Sequence, residues 1–254
     1  MDLGLAGRVA LVAGASSGLS LAIAVEFARE GAHVSISSRS RERLDEATAQ
    51  VEAAGDGRVV RFPLDVRDHA AVAGWVDETT SALGGVDIVV ANAGGPPAGM
   101  ATAFDLDGYR DALELNLLSS IGLVQAALPH VRRSPQGRVL FVTSITVKQP
   151  VRGLALSNAA RAGVAGYAKS LMYELGDSGI TVNVLAPGLT RTARLEQLAG
   201  GDAGLEAMAS DIPLGRLGEP DEFAAAAAFL ASRRASFITG TVMSVDGGAV
   251  RNLL

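Results

Sequence analysis

Two serines and an arginine in the second half of the chain carry groups that could act on a carbonyl compound. Ser144 ends an apolar stretch, and Ser157 and Arg161 follow thirteen and seventeen residues later. A hydroxyl can donate a hydrogen bond to a carbonyl oxygen, and a guanidinium supplies fixed positive charge. Arginine does not shuttle protons, because its pKa exceeds about 12. These residue types can therefore orient and polarise a carbonyl compound, but they leave the proton donor open.

Lys148 is one candidate for that proton donor. It is one of two lysines in a chain with twenty arginines, and it stands four residues after Ser144. A lysine whose pKa is lowered by burial or by a nearby guanidinium can act as a general acid. A solvated loop lysine is the alternative interpretation. Tyr167 would lie about 15 Å from Ser157 along one helix, so we interpret it as a packing residue.

The elements that must position these residues alternate along the chain. Apolar stretches predict strands at 9–13, 33–37, 58–63, 86–91, 138–143, 180–186 and 241–245, with helix-like stretches between them. Apolar strands separated by helices are typical of a parallel sheet that is covered on both faces. The order predicts one doubly wound α/β domain spanning 1–254.

Composition limits the class of ligand. The chain has no cysteine and three histidines, which leaves little for a zinc site, and we expect no metal. A net charge of −5 gives no electrostatic footprint for nucleic acid. No apolar run approaches the roughly 20 residues of a membrane span, and the N-terminus lacks the basic start of a signal peptide. We expect a cytoplasmic protein that binds a small molecule.

Three predicted strand ends carry residues suited to a dinucleotide. The segment 14–18, Gly-Ala-Ser-Ser-Gly, follows the first strand. Such a turn lets backbone N–H groups approach a diphosphate, whose charge the next helix N-terminus stabilises. Asp65-Val66 and Asn92-Ala93-Gly94 end the third and fourth strands, at the edge where ligands of such sheets bind. Their coincidence predicts a cofactor site.

In this order the motifs resemble the short-chain dehydrogenase/reductase family. The motifs are Gly14, Gly18, Asn92-Ala93-Gly94, Asn116, Ser144, Pro187-Gly188 and Asp246-Gly247-Gly248. The resemblance spans nearly the whole chain, although Ser20 replaces the last glycine of the usual turn. It implies a Rossmann-type, doubly wound, seven-stranded parallel sheet with helices on both faces. It also implies a homotetramer or dimer, formed through the helices at 105–133 and 153–177.

The same resemblance implies a set of cofactor-binding residues. They are Gly14, Ser16, Ser17, Gly18, Leu19, Ser38, Arg39, Asp65, Val66, Asn92, Ala93, Gly94, Arg161, Pro187, Gly188 and Thr190. Asp65 and Val66 would flank the adenine, and the segment 92–94 would flank its ribose. The Pro187-Gly188 turn would face the nicotinamide, with Thr190 near the carboxamide.

The end of the second predicted strand favours NADP(H) over NAD(H). An acidic side chain there would accept hydrogen bonds from a ribose hydroxyl and repel a 2′-phosphate. The chain offers Ser37-Ser38-Arg39 instead, and arginine makes charge-assisted bonds to phosphate oxygens. Arg41 could help. A solvated Arg39 is the alternative interpretation.

The catalytic positions depart from the family's pattern. By resemblance, Ser144 polarises the carbonyl and Asn116 holds a relay water, while Ser157 and Arg161 take the places of a tyrosine and a lysine. A serine hydroxyl is a far poorer acid than a phenol with a pKa of about 10. Three explanations stay open: a relocated donor such as Lys148, chemistry that needs little proton help, or a catalytically silent dinucleotide-binding scaffold.

We therefore expect an NADP(H)-dependent oxidoreductase of a small carbonyl, alcohol or imine. The alternative is a dinucleotide-binding protein with non-redox chemistry, such as dehydration or cyclisation, or with none. The segment 189–217 breaks the strand–helix pattern and is expected to be a mobile flap over the site. Small apolar groups in this flap and at 95–100 indicate an uncharged substrate.

Overall fold

One sheet of seven parallel strands organises residues 2–253, the part of the chain that the computed structural model describes. The strands are β1 (Val9–Ala13), β2 (His33–Ser38), β3 (Val59–Pro63), β4 (Ile88–Ala91), β5 (Arg138–Val142), β6 (Thr181–Pro187) and β7 (Val242–Val245). Their order in the sheet is β3-β2-β1-β4-β5-β6-β7. The order reverses between β1 and β4, which places a ligand crevice at the carboxyl ends of those strands. The predicted doubly wound, Rossmann-type fold is confirmed.

Nine helices of the described chain cover the sheet and its carboxyl edge. They are α1 (Gly18–Arg29), α2 (Arg41–Glu52), α3 (His69–Leu83), α4 (Leu106–Leu113), α5 (Ser119–Val131), α6 (Ala155–Leu175), α7 (Ala193–Ala199), α8 (Asp202–Ser210) and α9 (Pro220–Ala231). Helices α1, α2 and α9 pack on one face and α3, α5 and α6 on the other. Side chains alternate between the two faces along a strand. In β1, for example, Val12 packs under α1 and Leu11 packs towards α3.

The helix predicted at 105–133 is interrupted where Asn116 lies. One turn of π-helix, Glu114–Leu118, separates α4 from α5. Such turns insert one extra residue and are frequent at functional sites. The Asn116 side chain is 3% exposed, and its Nδ2 donates to the Gly94 carbonyl at 2.8 Å. The π turn therefore holds Asn116 against the loop that follows β4.

The run Leu106–Val131 is long and apolar enough to cross a membrane by length and composition alone. Its most apolar window of 18 residues has a mean hydropathy of 1.3, and 39% of that window is buried. In the fold, α5 packs against α3, and α4 packs against α6. Polar residues such as Asn116 and Gln125 interrupt the segment, so it is one candidate by composition and not a continuous apolar run.

The segment 189–217 contains two helices, α7 and α8, where the sequence indicated a loop. Leu195 of α7 packs with Ile212 and Leu217 in a small apolar cluster of the segment's own. At its end, Arg216 is ion-paired with Glu222 of α9 at 2.6 Å. The segment is therefore a folded unit attached to the carboxyl edge of the sheet.

Candidate active site

A cavity of about 370 Å³ opens at the carboxyl ends of β4, β5 and β6. Ser144, Ser157 and Arg161 all line it, so the structure brings together the three residues that the sequence singled out first. Most of the remaining wall is apolar. The apolar residues are Leu19, Ala93, Pro96, Val142, Leu154, Pro187, Leu189, Ala193, Leu195 and Leu198. A polar substrate group entering this cavity would meet these three polar side chains in a poorly solvated setting.

Ser144 is positioned by the turn that ends β5. It caps a single 3₁₀ turn, Ile145–Val147, and its Oγ accepts from the backbone N–H of Thr146 at 3.3 Å. Within residues 2–253, no group accepts the hydroxyl proton of Ser144. A serine hydroxyl is both acceptor and donor, so this proton can be donated to a ligand oxygen in the cavity.

Ser157 and Arg161 are presented by the first turns of α6. They are four residues apart, a spacing that places two side chains on the same helix face. The Ser157 hydroxyl has no hydrogen-bond partner within the described chain. Asn158 ties this end of α6 to the preceding loop, because its side chain accepts from the Val151 N–H at 3.2 Å and donates to the Val151 carbonyl at 3.0 Å.

Arg161 is a buried cation held by backbone carbonyls. Its Nη1 donates to the carbonyl of Thr143 at 2.8 Å and to that of Val142 at 3.3 Å. Burial lowers the pKa of the guanidinium to about 10, and the positive charge of Arg194 contributes. The group therefore stays charged at neutral pH. No acceptor within residues 2–253 binds its Nε or Nη2, which leaves donors for a ligand.

Asn116 carries a buried oxygen that no protein group satisfies. Its Oδ1 has no hydrogen-bond partner in the described structure, although its Nδ2 is bonded to Gly94. The Thr146 Oγ1 is unpaired in the same way. Leaving a buried acceptor unpaired costs about 1–3 kcal/mol. Neither residue lines the cavity itself, but Thr146 follows shortly after Ser144 in sequence and Asn116 is bonded to Gly94, and Ser144 and Gly94 both line it.

The structure places the other candidate proton donors away from the cavity. Lys148 does not line it, and the Lys148 carbonyl accepts from the Asn252 side chain at 3.0 Å. Tyr167 packs edge-on against Phe141, with ring centroids 5.9 Å apart, and burial raises its pKa. Tyr109 donates its hydroxyl to the Ala101 carbonyl. The third tyrosine of the chain, Tyr173, is exposed. No phenol of the described chain therefore lines this cavity.

A second cavity, of about 690 Å³, continues the first along the carboxyl edge. Its lining includes many of the predicted cofactor residues: Gly14, Ser16, Ser17, Ser38, Arg39, Asp65, Val66, Asn92, Ala93 and Gly94. Gly18, Leu19, Pro187, Gly188 and Thr190 line the first cavity. Six residues line both: Ser17, Asn92, Ala93, Gly94, Gly95 and Arg194. The two cavities together form a continuous cleft suited to an elongated ligand.

The turn between β1 and α1 has the backbone that a diphosphate needs. Gly14 and Gly18 have φ of +66° and +61°, a region that side-chain-bearing residues rarely adopt. Ser20 stands where the family's turn has its last glycine. It is buried, and its Oγ accepts from Asn92 Nδ2 at 2.9 Å. The serine is therefore accommodated by a bond that ties α1 to the loop after β4.

Two arginines face the second cavity near the end of β2. They are the predicted Arg39 and also Arg43, one turn into α2, whose backbone N–H is capped by the Ser40 side chain. Neither has a carboxylate within ion-pair distance in the described chain. Arg41 is not among the residues that line this cavity and lies beside a different one. This donor set suits a phosphate.

Asp65 lines the same cavity and is paired with Arg67. Its carboxylate accepts from the Arg67 guanidinium at 2.7 Å, and this hydrogen bond lowers the pKa of Asp65. The carboxylate is therefore ionised at neutral pH with its charge compensated. It can accept a hydrogen bond without opposing an anionic ligand nearby.

The end of β6 comes very close to the turn after β7. A Cβ on Gly188 would lie 2.7 Å from the Asp246 Cα, so this position requires glycine. The Gly188 N–H donates to the Val245 carbonyl at 3.0 Å. Thr190 is 7% exposed and donates to the Gly188 carbonyl at 3.4 Å. The turn that should face a nicotinamide is thus rigidly held.

Sequence reasoning missed Thr192 and Arg194, which also line the first cavity. Thr192 lies against the glycine turn, since a Cβ on Gly18 would be 3.5 Å from its Cγ2. Arg194 crosses to the loop after β4 and donates to the carbonyls of Gly95 and Pro96 at 3.2 and 3.4 Å. Local spacing carries no signal for either contact. Among residues 2–253, no group of three or more His, Asp or Glu is placed to hold a metal ion.

With this geometry described, comparison with known proteins gives the class. A family model described as enoyl-(acyl carrier protein) reductase matches residues 14–250. The 3-oxoacyl-(acyl-carrier-protein) reductase of Vibrio cholerae is 36% identical over 246 residues, covering 97% of this chain and 98% of that protein. The chain belongs to the short-chain dehydrogenase/reductase family, a family of oxidoreductases.

Two solved structures extend the comparison to three dimensions. The L-sorbose reductase of Gluconobacter frateurii, complexed with NADPH and L-sorbose, is 31% identical, with a TM-score of 0.95 and all of both chains covered. An NADPH-bound short-chain oxidoreductase of Pseudomonas aeruginosa, described as containing an atypical catalytic center, is 32% identical. Its TM-score is 0.91, with 96% of this chain and 97% of that one covered.

Proposed function

We propose that this protein is an NADP(H)-dependent oxidoreductase that transfers hydride to or from a small carbonyl, alcohol or imine substrate. The observation that carries the proposal is the single cavity in which Ser144, Ser157 and Arg161 converge beside the glycine turn. The solved relatives that bind NADPH support the choice of cofactor. The alternative with NAD(H) is disfavoured by the arginines at the end of β2.

The residues of the cleft fit a dinucleotide phosphate. The turn at Gly14 and Gly18 would bind the diphosphate through backbone N–H groups. Arg39 and Arg43, with the Ser38 hydroxyl, would bind the 2′-phosphate. Thr190 and the Pro187-Gly188 turn would position the nicotinamide, which supplies the hydride when bound.

Ser144 and Arg161 would stabilise the charge that develops on the substrate. Ser144 donates its free hydroxyl proton to the carbonyl oxygen. Arg161 keeps its charge in an apolar cavity, where it attracts negative charge on that oxygen more strongly than in water. Its unpaired donors can also bind the nicotinamide ribose. Reduction would leave an alkoxide that needs one proton.

We propose that this proton comes from water bound near Asn116. By the family's pattern Asn116 holds such a water, and the unpaired Ser157 hydroxyl, which lines the cavity, can form a hydrogen bond to it. The position of Lys148 outside the cavity does not support it as the donor. By the family's pattern Ser157 and Arg161 replace a tyrosine and a lysine.

A second candidate, dinucleotide binding without redox turnover, has one observation in its favour. No tyrosine of the described chain lines the cavity, so the usual phenol acid is lacking. Such a protein would bind NADPH and reduce no carbonyl or imine.

We also propose that the segment 189–217 acts as a flap over the cleft and that the protein is a homo-oligomer, a tetramer or dimer. Residues of this segment line the first cavity on one side. Leu106 on α4 and Tyr173 on α6 are exposed, although both are large and largely apolar. An interface over α4, α5 and α6 would cover them.

Parallel titration with NADPH and NADH, followed by a carbonyl and imine panel, tests the proposal. Nicotinamide fluorescence and thermal shift report binding, and loss of absorbance at the nicotinamide band reports turnover. The proposal predicts tighter binding of NADPH and turnover of at least one panel member. Tighter binding of NADH would overturn the cofactor assignment, and binding without any turnover would favour the second candidate.

A further inference from the structure

Arg194 is a cation of the flap with no carboxylate partner in the described structure. The segment 189–217 carries three arginines. Arg191 pairs with Glu219 at 3.2 Å and Arg216 pairs with Glu222 at 2.6 Å. Arg194 reaches only neutral backbone carbonyls, those of Gly95 and Pro96. Its charge is therefore uncompensated where it borders the cavity.

The first cavity, one of the two that Arg194 lines, holds a second cation and no acid. Arg161 lines the same cavity. Its pKa is lowered chiefly by burial, and repulsion from the Arg194 guanidinium lowers it further. No Asp or Glu is among the residues that line it. Because an apolar cavity screens charge poorly, two cations without a counter-ion favour the entry of an anion.

Two sources could supply that anion: the cofactor's diphosphate or the substrate. The diphosphate already has its own binding features in the turn at Gly14 and Gly18 and the start of α1. Arg194 instead donates across the cleft to the lip formed by Gly95 and Pro96, beside the apolar Leu198. Gly95 and Arg194 also line the second cavity, whereas Pro96 and Leu198 line only the first, so the contact with Pro96 lies on the side of the first cavity.

We propose that Arg194 is a substrate-specificity residue and that the substrate is a carbonyl compound bearing a carboxylate. The carboxylate would replace the Gly95 and Pro96 carbonyls as the partner of the guanidinium, which can bind it through two parallel hydrogen bonds. Ser144 would then bind the ketone oxygen at the other end. The proposal rests on the proposed function, and it differs from the sequence expectation of an uncharged substrate.

The catalytic test compares acetoacetate with its methyl ester in the NADPH-loaded protein. The wild type should show the higher kcat/KM for the acid. Arg194→Met should lower kcat/KM for acetoacetate by about 10- to 100-fold, because it removes a hydrogen bond to a charged group. The kcat/KM for the ester should change little. Arg194→Lys should retain part of the preference. Arg191→Met is the matched control, because it removes an exposed, ion-paired arginine of the same segment.

A binding test works even if no hydride is transferred. Butyrate, which has no ketone to reduce, should bind the NADPH-loaded wild type and Arg191→Met in calorimetry, and not Arg194→Met. The Kd for NADPH should be the same in all three. A weaker NADPH affinity in Arg194→Met with an unchanged acid preference would assign Arg194 to the diphosphate and overturn the proposal. Failure of the wild type to bind butyrate would overturn it too, whatever the redox activity.

Discussion

Arg161 lies one helical turn after Ser157 on α6, and both side chains line the cavity that Ser144 enters from β5. The hydroxyl of Ser157 is unpaired within the described chain, whereas Arg161 is bonded to the carbonyls of Val142 and Thr143. The two side chains therefore have different roles, because the serine hydroxyl is a weak acid and the guanidinium is charged at neutral pH. The cation can stabilise charge, and the proton must come from elsewhere.

Restoring a phenol at Ser157 should raise turnover. The double variant Ser157→Tyr, Arg161→Lys would place an acid in the cavity, and general-acid catalysis contributes about 10²–10⁴-fold. We expect at least a tenfold gain in NADPH oxidation with the carbonyl panel. The variant Ser157→Phe, Arg161→Lys adds the same ring without the hydroxyl and should show no gain. An equal gain in both variants would contradict the role given to the missing phenol.

The buried charge of Arg161 should lower the free energy of unfolding of the cofactor-free protein. Burial holds its folded-state pKa at about 10, below the ordinary value of an arginine, so ionised Arg161 disfavours folding. Replacing a buried charge with an apolar side chain is often neutral or stabilising. We expect Arg161→Met to keep or raise the Tm at pH 7.5 while losing turnover. A fall in Tm of more than about 5 °C would show instead that the guanidinium stabilises the fold.

The same pKa sets how this stability cost depends on pH. Below pH 10 both folded and unfolded states bind the proton, and the full cost is present. Above pH 10 the folded protein loses the proton before the unfolded chain does, so the cost diminishes. The Tm difference between Arg161→Met and the wild type should therefore be smaller at pH 10.5 than at pH 7.5. A Tm difference that grows with pH would contradict the lowered pKa of Arg161.

Arg39 should determine the choice between the two dinucleotides. Arg39→Asp removes a charge-assisted bond to the 2′-phosphate and repels it, so the Kd for NADPH should rise by about 10- to 100-fold. The Kd for NADH should hold or fall. Arg41→Asp makes the same charge change beside a different cavity and serves as the control. Equal effects of the two substitutions would mean that only the general charge of this face matters.

The ionised carboxylate of Glu222 should stabilise the C-terminal end of the flap at pH values above 4.5. Hydrogen bonds from Arg216 and from the Glu219 N–H lower the pKa of Glu222 to about 2, from an ordinary 4.5. Its stabilisation is present above pH 4.5 and is lost as the pH falls towards 2. Thermal denaturation of Glu222→Gln should show a lower Tm than the wild type at pH 7. The difference should shrink between pH 4.5 and 3, and a constant difference would exclude the ionic contribution.

The strand ends and the glycine turn could be predicted from the sequence because the signals are local. The stretch 9–13 is apolar on both faces, and Gly14 with its positive φ ends it. Arg43 could also have been predicted from a local signal, the helix cap at Ser40. Ser40 caps α2, so the third residue of that helix turns back towards the end of β2.

Two other features of the site depend on contacts between distant parts of the chain. The π turn at Glu114–Leu118 is stabilised by the bond from Asn116 to Gly94, which no helical pattern encodes. Arg194 is aimed at Gly95 because Leu195 packs with Ile212 and Leu217. The position of the segment 189–217 beside the cavity depends on those apolar contacts, which local sequence does not encode.

Turnover by Ser144→Ala tests the catalytic cavity most directly. Loss of a hydrogen-bond donor to a developing oxyanion typically costs about 10²–10³ in kcat, so NADPH oxidation should fall at least 100-fold. The Kd for NADPH should stay within about twofold, because Ser144 is not needed to bind the phosphates. Ser170→Ala, an exposed serine further along α6, should be unaffected. Full turnover by Ser144→Ala would contradict the assignment of the active site to this cavity.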